Sequence, residues 1–175
     1  MSDSDQKRFL PNSETCFVCG EANGAGLQTR FFVENGIVKT ILRPQSHHCG
    51  YANVVHGGVL TAILDECMGW AAARAIGRMC YTGDLSIRFL RPVPADRETM
   101  VRAEVRRAGR RLVEAVGTIV DNAGLELAQA EGRFLPLSVE ETITVDDALL
   151  YRGGEERVFD HLRRSTPICN RDSCS

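Results

Sequence analysis

Gly57-Gly58-Val59-Leu60-Thr61-Ala62-Ile63-Leu64-Asp65-Glu66-Cys67-Met68-Gly69-Trp70-Ala71-Ala72, running on to Ile76, is the stretch that decides the fold. Val59, Leu60, Ile63, Leu64, Cys67, Met68, Trp70 and Ala71 recur at spacings of three and four, the period of an α-helix. The rest of the circumference is mostly small residues: Gly58, Thr61, Ala62, Gly69 and Ala72. A helix that is apolar or small nearly all round is a buried helix, so sheet is expected to wrap it.

Upstream, Leu27, Thr29, Phe31 and Val33 alternate with Gln28, Arg30, Phe32 and Glu34, and Asn35-Gly36 turns the chain into Ile37 to Leu42. That pattern predicts a β-hairpin. Pro44, Gly50 and the polar run Gln45 to His48 make residues 43–55 a loop. Downstream of Gly77, extended segments are predicted at Met79 to Arg91, Glu98 to Arg107, Arg111 to Val120 and Leu125 to Leu135. Turns at Pro92-Val93-Pro94, Ala108-Gly109 and Asp121 to Gly124 separate them, and short connections favour antiparallel neighbours. Hairpin, helix, then a meander of strands is an α+β order in which one sheet packs on one helix. Residues 1–15 read as a mobile N-terminal segment and 16–137 as the domain. Residues 138–175 read as an extension with a short helix from about Glu155 to Arg164 and a polar tail.

Hydrophobic residues are 43% of the 175 and charged residues 25%, the balance of a folded globular chain rather than a disordered one. A formal charge of −2 gives no basic field to attract nucleic acid. Apolar runs are cut within a few residues by Asp, Glu or Arg, far short of the ~20 that a membrane span needs. Met1 to Arg8 lacks the apolar core of a signal peptide, which points to the cytoplasm. Seven cysteines without a secretory signal read as reduced thiols, Cys67 and Cys80 packing as small hydrophobes. Cys16-Phe17-Val18-Cys19 is the one metal-like spacing. Zinc takes about four ligands, and only His47, His48 and Cys49 offer to complete a set, so no metal is expected and the pair reads as a turn.

Chemistry concentrates at His56-Gly57-Gly58 and Asp65. First-turn N–H groups have no intrahelical partner, and glycines let another molecule approach them, so they can polarise a carbonyl oxygen. Such a donor contributes about 3 kcal/mol to an acyl-transfer transition state. Asp65 lies seven residues after Gly58 and four after Thr61, on the small-residue side of the helix among apolar neighbours. Burial disfavours its charge and makes the oxygen more basic, as suits a nucleophile or general base. Read by spacing alone, the same residues also describe a plain helix start with Asp65 or Glu66 salt-bridged to an arginine.

His56 to Asp65 followed by Asp84-Leu85-Ser86-Ile87-Arg88-Phe89-Leu90-Arg91-Pro92 resembles the hotdog thioesterases of the phenylacetate-pathway type. Gly50-Tyr51, Cys16-x-x-Cys19-Gly20 and Asn23-x-x-Gly26-Leu27 are similar to one branch of that superfamily, and the resemblance covers roughly residues 16–137. It implies an antiparallel sheet curled around a long helix, with two protomers joined sheet edge to sheet edge and active sites between them, as a homodimer or a dimer of dimers. By position it implies Asp65 as the acidic residue, Gly57 N–H as the donor to the thioester oxygen, His56 as a brace for the loop, and Thr82 as the hydroxyl that positions water. Where related enzymes carry Asn or Gln, six residues before the histidine, this chain has Gly50; Asn53, His47 or His48 is the substitute on offer. Acyl-CoA is the implied substrate, with Gly58, Asn53, Arg88 and Arg91 as further contacts. The arginines Arg106, Arg107, Arg110 and Arg111 near a turn read either as phosphate ligands or as a solvated hairpin tip. Hydrolysis requires no cofactor. The rival readings are a non-catalytic acyl-CoA-binding hotdog protein, a hydratase or dehydratase on the same fold, and a zinc-dependent interaction domain built on Cys16 and Cys19. Glu66, about 100° round the helix from Asp65, reads as structural, facing a dimer interface.

Overall fold

The structure, a computed structural model, describes residues 7–164. The readings of the first six residues and of the polar tail, with Cys169 and Cys174, lie outside the described residues. In chain order the elements are β1 (Arg8–Phe9), β2 (Asn12–Ser13), β3 (Phe32–Glu34), β4 (Ile37–Leu42), β5 (Cys49–Tyr51), β6 (Val54–Val55) and α1 (Gly57–Ile76). There follow β7 (Cys80–Phe89), β8 (Thr99–Ala108), β9 (Val113–Val120), β10 (Glu126–Pro136), α2 (Val139–Asp147), β11 (Leu149–Leu150) and α3 (Asp160–Arg164).

Seven strands form one antiparallel sheet in the order β1-β3-β4-β8-β9-β10-β7, and α1 packs against it. The expected α+β architecture, a hotdog sheet around one long helix, is the one observed. Helix α1 spans Gly57–Ile76 as its periodicity predicts, capped at its start by His56 and at its end by Gly77 in the left-handed conformation at φ 65°. The sheet makes room for it with small residues at the centre: Ala103, Ala115, Ala128 and Ala130 are buried. A Cβ added at Gly117 would come within 3.0 Å of Leu64 Cδ2, so glycine there lets the helix lie close. Asn35 and Gly36 both have positive φ, the turn that matches hairpin twist, and join β3 to β4.

Four expectations change. The four strands after α1 are not a simple meander: β8, β9 and β10 follow in order, but β7 lies at the far edge beside β10, and residues 90–98 carry the chain across to β4. The first hairpin strand starts at Phe32 rather than Leu27, because Gln28 has φ 48° and breaks the extended backbone. The loop of residues 43–55 contains a 3-10 turn and the small β5–β6 pair. The last helix starts at Asp160, after Gly153 and Gly154 with positive φ and Glu155 paired to Arg30. Among the described residues of the stretch expected to be mobile, β1 pairs with β3, β2 pairs with β11, and Leu10 is only 1% exposed, because Phe9 and Leu10 give it an apolar anchor.

The outer side of α1 is covered by chain from both ends. Val18 and Cys19 bury against it from one side, and Phe159 and Leu162 from the other, with the Phe159 ring stacked 6.5 Å from that of Trp70. Arg74 on α1 pairs with Glu156 at 3.0 Å. No helix among the described residues is long and apolar enough to cross a membrane.

Candidate active site

His56 sits in extended backbone and its Nδ1 accepts the Gly58 N–H at 2.8 Å, so the second glycine's donor is already used. The Val59 N–H donates to His56 O at 2.9 Å. The Gly57 N–H, first in the helix, has no acceptor among the described residues. Gly57 lines a mostly apolar cavity of about 610 Å³ together with Tyr51, His56, Leu60, Phe89 and Arg91. The Phe89 ring lies 3.3 Å from where a Gly57 Cβ would sit. Asn53 and Gly58 do not line that cavity, and Gly50 does. Asn53 has φ 56°, and its carbonyl accepts the Ala95 N–H at 3.2 Å.

Asp65 enters no ion pair with a described residue; its Oδ1 accepts the Thr82 hydroxyl at 2.7 Å. Burial raises its pKa above the usual carboxylate range, and the Thr82 hydrogen bond opposes that shift. Both residues line a second cavity of about 270 Å³, with Cys16, Cys19, Glu66 and Trp70. Within one chain, Asp65 and Gly57 therefore do not share a cavity. Eight residues separate them along α1, about 12 Å of helical rise.

Strand β7 carries both landmarks, Thr82 against Asp65 and Phe89 against Gly57. Side chains alternate along a strand, so positions 82 and 89 would normally point to opposite faces. A β-bulge reconciles them: Asp84 pairs with Arg133 and Thr82 with Phe134, leaving Gly83 without a partner. From there Leu85, Ile87 and Phe89 take the helix side, while Asp84 and Ser86 face outward beside Arg106, Glu131 and Arg133. Arg88 follows Ser86 on the outer face and is not brought to Gly57. Arg91 is at the Gly57 cavity, its Nη1 donating to Glu126 O at 2.8 Å. The bulge escaped the sequence reading, although a glycine inside a strand is its usual signal. Of the turn arginines, Arg106 pairs with Glu131 on the exposed outer face.

Glu66, expected to be structural and to face a dimer interface, faces the N-terminal loop within the chain. Its Oε2 accepts the Cys16 thiol at 3.0 Å, and burial with the neighbouring Cys16 raises its pKa to about 8. A hydrogen bond from the Cys19 thiol is the main cause holding Cys16 down at about 5, whereas its bond to Cys16 and burial push Cys19 up. His47, His48 and Cys49 are not part of this cluster; His48 Nδ1 accepts the Gln45 N–H instead.

Residues 52–128 match the family model described as thioesterase superfamily, a span that holds Gly57, Asp65 and Thr82. No curated protein matches the chain. Among solved structures it is similar to a thioesterase superfamily protein, 25% identical with a TM-score of 0.65 over 70% of this chain. The chain covers 63% of that protein, less than two thirds of its length. It is also similar in fold to the PaaI protein from the phenylacetic acid degradation operon of E. coli, with 20% identity, a TM-score of 0.59 and coverage of 64% of this chain and 81% of that one. A third likeness is to a Streptococcus mutans protein solved bound to acetyl CoA, with 18% identity, a TM-score of 0.56 and coverage of 59% and 82%. That match makes residues 52–128 similar to the thioesterase superfamily, and the chain shares the hotdog architecture of these structures.

Proposed function

We propose that the protein is an acyl-CoA thioesterase whose active site forms between two copies of the chain. The observation that carries this reading is the pairing of Asp65 with Thr82: a half-buried carboxylate without an ion-pair partner, held by one hydroxyl on the wall of a cavity. Burial keeps it basic, and Thr82 fixes its orientation. In the reaction, Asp65 either attacks the thioester carbonyl carbon itself, giving a mixed anhydride that water then opens, or takes a proton from a water that attacks. In both routes the carbonyl oxygen gains charge at the Gly57 N–H, the C–S bond breaks, and CoA leaves as the thiol after taking up a proton. His56 holds the glycine loop through the Gly58 N–H. Arg91 at the Gly57 cavity is the nearer candidate for the CoA end, and Arg88 takes that role only from the outer face. The acetyl CoA bound to the Streptococcus mutans protein supports the substrate class.

A second copy is required because one helix cannot place both groups on one carbonyl. β7 ends the sheet, ten residues long, with Tyr81 62% and Phe89 52% exposed. An edge of that length is a template for pairing. Antiparallel pairing of two β7 strands about their middle lays the Thr82 end of one beside the Phe89 end of the other. Asp65 of one copy then approaches Gly57 of the second. Release of free thiol from a panel of acyl-CoAs tests the activity: Asp65→Asn loses most of the hydrolysis while the dimer stays folded. Full activity in that variant refutes the assignment.

A further inference from the structure

Outside the span matched by the family model, residues 12–29 build a compact loop whose only acidic groups facing α1 are two thiols. Its backbone is wound tightly: the Gly20 N–H donates to Cys16 O at 2.9 Å, and a Cβ at Gly20 would lie 2.4 Å from that oxygen. Gly26 is equally confined, 2.4 Å from Phe17 O. Phe17 and Val18 carbonyls accept the N–H groups of Leu27 and Thr29, and the Cys19 carbonyl accepts the buried Asn12 side chain at 3.0 Å. Both sulfurs are thus fixed on one side of a rigid turn, and the Val18 N–H donates to Cys16 Sγ at 3.3 Å.

Against this turn α1 presents Glu66, which enters no ion pair with a described Lys or Arg. The two sulfurs and a Glu66 oxygen lie within 4.8 Å of one another. Ligands arranged tetrahedrally around one zinc are roughly 3.5–4 Å apart, so small side-chain rotations close the set. Once deprotonated on binding, two thiolates and a carboxylate suit a zinc-class cation, and no described basic side chain at the cluster offsets their charge, so a divalent ion is what balances it. We propose that Cys16, Cys19 and Glu66 bind a zinc-class divalent cation, leaving one coordination position toward the cavity that also holds Asp65. The ion staples the N-terminal loop to α1, and the proposal does not depend on thioesterase activity.

The test uses the full chain purified under a phosphine reductant. One equivalent of zinc per chain by elemental analysis is expected, and cobalt(II) titration is expected to produce thiolate-to-metal charge-transfer absorption. Peptide-resolved alkylation adds a readout that needs no variant: zinc protects Cys16 and Cys19 and leaves Cys49 reactive. Cys16→Ser and Cys19→Ser abolish the cobalt spectrum, and Glu66→Gln weakens binding by at least about tenfold. A chain that takes up neither metal, or alkylation of Cys16 and Cys19 unchanged by zinc, overturns the site. Binding undiminished in Glu66→Gln overturns the third ligand.

Discussion

Splitting the site between two copies leads to a quantitative prediction for mixed dimers. Gly57 and Asp65 are about 12 Å apart along the helix, whereas a reacting carbonyl needs both its donor and its attacking oxygen within about 3–3.5 Å. Gly57→Pro removes the N–H with little disturbance. His56, at φ −62° and ψ 136°, already has the backbone that precedes proline, and proline is well tolerated at the first helical position. The Phe89 ring, 3.3 Å from the added Cβ, must give by a few tenths of an ångström. Loss of the donor lowers kcat by roughly 10²- to 10³-fold, and Asp65→Asn removes the attacking group. Refolding the two variants together in equal amounts makes about half of the dimers mixed, each with one doubly damaged site and one intact site, so the mixture regains roughly a quarter of wild-type activity. Thiol release before and after co-refolding measures this. A mixture no more active than the mean of its two components shows that the site does not join Asp65 of one chain to Gly57 of another.

Three other outcomes follow from the geometry. Thr82→Val removes the donor to Asp65 Oδ1 and lowers kcat by roughly 10- to 100-fold, the value of a hydrogen bond to a charged group, whereas Thr82→Ser retains most activity; steady-state kinetics with thermal unfolding as a control decide it. Phe159→Ala empties the space stacked on Trp70 and destabilises the fold by about 3–5 kcal/mol, read from the urea midpoint; a change within about 0.5 kcal/mol means that the C-terminal cover does not stabilise α1. A single turnover in ¹⁸O-labelled water separates an anhydride opened at the Asp65 carbonyl carbon from direct attack by water: the first puts the label in the Asp65 peptide and leaves the released acid without it, and the second puts the label in the acid and none in Asp65.

The helix was legible because its signal is local, a three-four period that runs from Gly57 to Ile76 and stops at Gly77, whereas the His56 cap shows only in the structure. The hairpin was legible for the same reason, through Asn35-Gly36. Ser138 and Glu141 form a capping box that starts α2, and that signal stood in the sequence unread. The position of β7 was not legible, since periodicity fixes a strand's faces but not its neighbours, and nine residues are enough to carry the chain across the sheet. The contact of Cys16 with Glu66 joins residues 50 apart, which no local spacing encodes. Glycine at position 57 and aspartate at 65 drew attention together because they share a helix; their separation along its axis places them in different cavities.

The unpaired Gly83 works as a half-period phase shift in an otherwise regular alternation. Drawing the strand straight, so that Gly83 rather than Thr82 faced Phe134, would restore the alternation, turn the Thr82 hydroxyl away from α1 and leave the Asp65 oxygen without its donor, while Leu85, Ile87 and Phe89 stayed seated. The extra residue therefore separates chemistry from folding: a strand shorter by Gly83 keeps Thr82 opposite Phe134 and toward α1, whereas the full-length strand without its bulge loses the hydroxyl yet leaves the hydrophobic seam intact.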